Sequence, residues 1–212
     1  VIAAHLVYRN MIRPLDGPGF GSRLEVLTTN YAPDVVAAQL NLLGSHDAPR
    51  ALTVLGDDVA ALRLAFVLQL TLPGAPCVYY GDEIAMTGYD DPDCRRSYPS
   101  EPGAGDQALR AFVATVIGAR IRHVALRRGG VRVAGAIGDA VVLERTAEGR
   151  RALVAVNAGR SSQPVDVAVE RGEWQPVPGL VSAGATLSEP NGAPDRLSIT
   201  LPAQGSAVYV EA

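Results

Sequence analysis

The sequence contains no lysine: all 19 of its basic residues are arginine. That is read as a bias of the genome and given no mechanistic weight. There are only two cysteines, Cys77 and Cys94. They are too few for a disulfide framework, and neither has histidine or carboxylate partners at metal-ligand spacing, so no metal site is expected. Basic surplus is missing as well. A formal net charge of -3 leaves nothing to neutralise phosphates and excludes a general nucleic-acid binder. The longest apolar run, residues 60–72, is broken by Arg63 and Gln69 and is too short to cross a bilayer, so no membrane partner is expected. Residues 1–12 lack the charged, apolar and small-residue succession of a secretory leader, and the expectation is a cytoplasmic protein.

What remains is an aliphatic, aromatic-poor chain of 212 residues, long enough for one large or two small cores. The pattern changes near residues 124–128, which predicts two domains, 1–125 and 126–212. Upstream, apolar runs alternate with helical periods. Residues 2–13 and 20–30 read as helical pieces separated by the breaker Pro14-Leu15-Asp16-Gly17-Pro18-Gly19. Pro33 starts a short helix through Ala38, and residues 40–44 form a strand. Asp57 or Asp58 caps a helix that runs to about Leu72 and is apolar around most of its circumference. Residues 77–81 read as a buried strand, with Cys77 a small buried hydrophobe, and a polar loop covers 82–105. Asp106 caps a helix whose Leu109, Phe112, Val113, Val116 and Ile117 share one face. Strand–helix–strand–helix order predicts a parallel α/β unit. Downstream, β-prone runs at 131–134, 140–145, 152–157, 164–169, 174–177, 197–201 and 207–210 alternate with turn signals, among them Asn191-Gly192. That spacing predicts an antiparallel sandwich.

Three motifs carry the chemistry. LNLLGSHDAPR (residues 40–50) is an apolar strand that ends by presenting His46 and Asp47. Ligands bind where parallel strands end, so this is either a catalytic edge or a turn capping the next helix. LPGAPCVYYGDE (72–83) and DPDCRR (91–96) follow. Asp91 and Arg95 could address two adjacent hydroxyls with a carboxylate and a rigid fork of donors, or form a salt bridge that stabilises their loop. Tyr79 and Tyr80 are core or stacking residues. Trp174 is sandwich packing or a surface platform for sugars.

Together these motifs resemble the α-amylase family of retaining glycoside hydrolases, in particular its neopullulanase, cyclomaltodextrinase and maltogenic amylase branch. The resemblance runs through residues 23–125, and the tail is similar to that family's C-terminal sandwich. It implies a fold of class α/β plus all-β: the last two strands and helices of a (β/α)8 TIM barrel, then an antiparallel β-sandwich. By that resemblance Asp47 matches the carboxylate that stabilises the transition state by hydrogen bonds to the sugar at the cleavage point, and His46 binds the same sugar. Arg50, Asp91 and Arg95 match substrate-binding positions, with Arg50 more a positioning group. Asp82-Glu83 could be read as a catalytic carboxylate pair, and the resemblance implies instead a structural pair that orients the strand end. No cofactor is implied. Calcium is common in the family, but no acidic cluster here is nameable as its ligand set.

The same resemblance implies an absence. A retaining glycosidase needs a nucleophile and an acid/base carboxylate about 5 Å apart, which the family carries on its fourth and fifth strands. No segment before Leu40 carries either. The expectation is therefore the C-terminal part of an α-glucan hydrolase, acting on maltooligosaccharides, cyclodextrins or pullulan and inactive alone. The alternatives are a non-catalytic carbohydrate-binding or scaffold protein, or part of a related transglycosylase or isomerase. Open strand edges predict either self-association or pairing with the missing N-terminal barrel segment.

Overall fold

A computed structural model describes residues 2–4, 13–170, 172–189 and 196–212. The chain begins with a short antiparallel ribbon, β1 (Ile2–Ala4) against β2 (Arg13–Leu15). The helix expected over 2–13 is thus overturned at both ends, while residues 5–12 lie outside the described part. A three-residue apolar run does not specify a helix, and Ile2–Ala4 pairs its backbone with Arg13–Leu15 as a ribbon instead. Pro14 is tolerated there because a two-stranded ribbon has only edges.

Helix α1 (Gly17–Thr29) starts three residues earlier than its apolar pattern suggests. The supposed breaker is its first turn: Asp16 accepts from the Gly19 amide at 2.8 Å, and Pro18 occupies a position where its missing N–H costs nothing. Helix α2 (Pro33–Ala38) leads into β3 (Leu40–Leu42). The short α3 (Ala51–Val54) and the long α4 (Val59–Thr71) follow, and β4 (Ala75–Cys77) returns parallel to β3 with Leu40 opposite Ala75 and Leu42 opposite Cys77. Gln69 on α4 fastens both strands from one face, its Nε2 donating to the carbonyls of Asn41 (3.1 Å) and Cys77 (2.9 Å). The opposite face, bearing Leu40, Leu42, Ala75 and Cys77, is open. Cys77 is therefore exposed, against expectation. Alternation places it on the side that two strands alone leave uncovered.

The strand expected over 77–81 lies instead at 75–77. Beyond Cys77 the backbone leaves the ladder because the Tyr80 carbonyl is taken by the Arg50 guanidinium, and Gly81 turns the chain with φ +87°. The loop over 82–105 contains two single 3-10 turns, Asp82–Ile84 and Asp93–Arg95. Helix α5 (Gln107–Arg122), capped by Asp106, and the short α6 (Val124–Arg128) complete the helical layer.

The β part begins at Gly130. Strands β5 (Gly130–Ile137), β6 (Ala140–Ala147) and β7 (Arg150–Asn157) form consecutive hairpins. With β8 (Gln163–Ala168), β9 (Trp174–Val181), β10 (Thr186–Ser188), β11 (Arg196–Leu201) and β12 (Ser206–Glu211), they build sheets ordered β5-β6-β7-β12-β9 and β10-β11-β8. The expected antiparallel sandwich is present, with β9 four residues longer than anticipated and β10 unanticipated. The turn expected at Asn191-Gly192 lies outside the described residues.

Strands β6 and β7 are buried along most of their length on both faces. The reason is three-layer packing. One core joins Leu62, Phe66, Leu109 and Val116 of the helices to Val141, Leu143, Val154 and Val208 of the large sheet. A second fills the gap between the sheets, around Leu153, Val165, Ile199 and Leu201. Two buried arginines seal the helical side. Arg120 donates to the carbonyls of Leu70 and Leu72 at 2.9 Å and Leu126 at 3.0 Å. Arg145, pushed down to about 9 by burial and the neighbouring Arg120 charge, donates to Gly130 at 2.9 Å, to Leu126 and to Gly129. The carbonyls that end α4 and α6 would otherwise be orphaned.

Candidate active site

The site forms where β3 and β4 end. After Leu42 the chain makes a tight turn, with Asp47 N donating to Ser45 Oγ at 3.2 Å, and this lifts two consecutive polar side chains off the strand. His46 Nε2 and Asp47 Oδ1 lie 3.2 Å apart, and both side chains are about two-thirds exposed (63% and 66%). The 93–95 turn closes against them from the other strand's loop. Arg95 Nε donates to the His46 carbonyl at 2.9 Å and Nη2 reaches Asp47 Oδ1 at 3.4 Å, while Asp91 Oδ1 lies 3.0 Å from Arg95 Nε. Buried Cys94 donates its thiol to the same His46 carbonyl at 3.4 Å.

His46, Asp47, Asp91 and Arg95 therefore form one continuous, solvent-open row. Their order alternates acceptor and donor: the Asp47 carboxylate, the Arg95 fork, the Asp91 carboxylate. Such a row can bracket vicinal hydroxyls, because each hydroxyl both donates and accepts. The Asp91–Arg95 pair is at the same time the loop salt bridge of the plainer reading, and one geometry serves both.

Arg50 is placed differently. It is fully buried (0%), and its guanidinium packs against the Tyr79 and Tyr80 rings, 4.3 and 4.6 Å from their centroids, with the two rings edge to face at 4.7 Å. It pairs with Asp82 at 3.4 Å. A group sealed in this way does not meet a sugar, so direct substrate contact is corrected to support of the strand ends. Burial, with Glu83 adding to it and Arg50 opposing, pushes the Asp82 carboxyl up to about 6. Tyr79 and Tyr80 both pack on this cation, and Tyr80 further donates its hydroxyl to the Arg96 carbonyl at 2.9 Å. Trp174 is partly buried against the sandwich core with Arg151 over its ring, at 5.1 Å. Among the described residues no group of three or more His, Cys, Asp or Glu is placed to hold a metal ion.

Sequence reasoning missed the clamp at Asp58. Besides capping α4 through the Ala61 amide (3.1 Å), its carboxylate accepts from Gln204 Nε2 (2.6 Å) and Arg160 Nη2 (3.0 Å) of the sandwich. The cap was legible as Asp57 or Asp58 before an apolar run. The two distant donors have no local signal.

Comparison with known proteins shows what the chain as a whole is similar to. The alpha amylase catalytic-domain family model matches residues 20–126. A cyclomaltodextrinase of Geobacillus thermopakistaniensis is 35% identical over 193 residues, 90% of this chain and 32% of that protein. Neopullulanase 2 of Thermoactinomyces vulgaris is 43% identical over 102 residues, 48% of this chain and 17% of its own length. Among solved structures, the Nostoc punctiforme debranching enzyme superposes with a TM-score of 0.82 at 31% identity, over 94% of this chain and 40% of that one. The chain thus spans a third or less of the length of these two curated relatives. The fold of this chain is a partial barrel followed by a β domain.

Proposed function

This chain belongs to the α-amylase family, and on that premise we propose that it supplies the C-terminal part of a retaining α-glucan hydrolase. The substrates would be maltooligosaccharides, cyclodextrins or pullulan, cleaved at α-1,4 and in some cases α-1,6 bonds. The observation that carries this reading is the row of His46, Asp47, Asp91 and Arg95, gathered from two loops onto the ends of two parallel strands. Asp47 stabilises the transition state. Its carboxylate accepts hydrogen bonds from sugar hydroxyls, and these strengthen as the ring flattens and its charge grows; together they are worth several kcal/mol. His46 binds the same sugar, and Asp91 with Arg95 takes the next one.

The nucleophile and acid/base carboxylates belong to the rest of the barrel, so the 212-residue chain does not hydrolyse by itself. That rest also covers the apolar cavity of about 480 Å³ bounded by Phe20, Leu24 and Leu27 of α1, Leu40 and Leu42 of β3, and Leu68 of α4. Left bare, such a surface drives self-association. The test compares hydrolysis of γ-cyclodextrin, pullulan and starch by the full-length protein and by this chain. Turnover by the full-length protein alone supports the proposal; turnover by the isolated chain refutes it.

A further inference from the structure

The segment that carries His46 and Asp47 has no regular secondary structure between Leu42 and Ala51. Its tip is held by Arg95, a residue itself nearly half exposed (45%). Something more rigid has to fix its two ends, and one side chain touches both. At the leading end, Oδ2 of Asp82 lies so close to Gly44 that a Cβ there would run into it. At the trailing end, Asp82 Oδ1 pairs with Nη1 of Arg50 at 3.4 Å.

Asp82 is therefore wedged between residues 44 and 50, three on either side of Asp47. Its own placement is secure. It is 1% exposed and opens the 82–84 turn, its amide donating to the Tyr79 carbonyl at 3.1 Å. Arg50 is equally fixed, with its guanidinium packed against two tyrosine rings and its own amide donating to Gly88 O at 2.9 Å. Neighbouring Glu83 does something else: its carboxylate accepts from the Gly81 amide at 2.7 Å, within its own strand end.

We propose that Asp82 is a positioning residue for Asp47, holding the neighbouring strand's loop in register through Gly44 and Arg50. The inference rests on the reading of Asp47 as the transition-state carboxylate. It assigns the two acidic residues of the 81–83 turn different tasks: Glu83 shapes β4's own end and Asp82 sets the reach of the catalytic loop on β3. Such a residue acts on rate more than on affinity, because a displacement of about 1 Å at a transition-state contact can cost on the order of a hundredfold.

Two measurements on D82N, with E83Q as the control, test this. In the 212-residue chain, backbone amide NMR shifts are compared with wild type. The expected result is that D82N displaces the amides of Gly44 to Arg50, while E83Q displaces only those around Gly81. Changes in D82N confined to residues 80–86 overturn the proposal. In the full-length enzyme, D82N is expected to lower kcat at least tenfold with KM within about threefold; an unaltered kcat overturns it. Should D82N fail to fold, R50K decides in its place, since it keeps the charge and loses the fork and must displace the same loop amides. If the wild-type enzyme cleaves no α-glucan, the functional reading fails on its own, and the amide shifts alone decide the role of Asp82.

Discussion

Arg95 and Asp47, 48 positions apart in sequence, meet at 3.4 Å, and the same guanidinium holds Asp91 at 3.0 Å. One arginine thus spaces two carboxylates that come from different loops. Because the pairs are about half exposed, their worth to folding is small, about 0–1 kcal/mol. Their worth to binding is the spacing itself. R95A in the full-length enzyme is expected to raise KM for maltotriose about tenfold with a smaller change in kcat, the pattern of lost uniform binding. Steady-state kinetics read it directly, and a fall in kcat with KM unchanged would assign Arg95 to the transition state instead.

Asp58 ties α4 to the sandwich. D58A removes the helix cap and both distant partners, Gln204 and Arg160, and is expected to cost about 1–3 kcal/mol in urea unfolding at pH 7. The hydrogen bond from Gln204, aided by the Ala61 amide and the Arg160 charge and opposed by burial, holds this carboxyl below its ordinary 3.8. A carboxyl lowered by folding stabilises above its unfolded value and loses that contribution as pH falls through the folded one. The gap between wild type and D58A should stay constant near neutral pH and close below about pH 4. A gap that widens in acid would refute the clamp.

Asp82 has the opposite sign. Burial raises its carboxyl to about 6, Glu83 adds to the rise, and Arg50 opposes it. A carboxyl raised by folding makes the native state take up protons between about pH 4 and 6, so its contribution is complete in acid and is lost as pH rises through about 6. Wild type should lose stability relative to D82N across that window, by on the order of 3 kcal/mol. Chemical denaturation at pH 4, 5, 6 and 7 checks this; parallel stability curves for the two proteins would contradict it.

Arg145 satisfies the carbonyls of Gly129, Gly130 and Leu126 at the turn from α6 into the sandwich. R145M keeps the apolar stem and takes the guanidinium from the Gly129 and Gly130 carbonyls, while Leu126 keeps its bond from Arg120. The expected cost is about 3 kcal/mol or more, seen as a lower urea midpoint, and R145K should recover little because one ammonium cannot fork to three carbonyls. A midpoint within error of wild type would show that water replaces the guanidinium.

Much of this architecture was legible in local patterns. Asp106, and the pair Asp57-Asp58, announced their helices as caps before apolar runs, and the turn signals separated most sandwich strands. The loop motifs brought Asp47, Asp91 and Arg95 to attention together. What escaped were long-range effects. The slip of β4 from 77–81 to 75–77 follows from Arg50 taking the Tyr80 carbonyl, a contact 30 positions away. Cys77 is exposed because two parallel strands leave one face bare, which no window of the sequence records. Arg50 stands in a motif next to exposed site residues, yet the two tyrosines bury it. Local periodicity encodes which face is apolar; it does not encode which polar group a distant side chain will claim.

The central claim is that Asp47 binds the transition state from the end of β3, and kcat of the full-length D47N variant on maltotriose tests it most directly. Asparagine keeps the size of the side chain and loses the charge that accepts the sugar's strengthening hydrogen bonds. The account predicts a fall in kcat of about a thousandfold or more, corresponding to roughly 4 kcal/mol of transition-state binding, with KM and unfolding midpoint near wild type. A D47N enzyme within tenfold of wild-type kcat would contradict it.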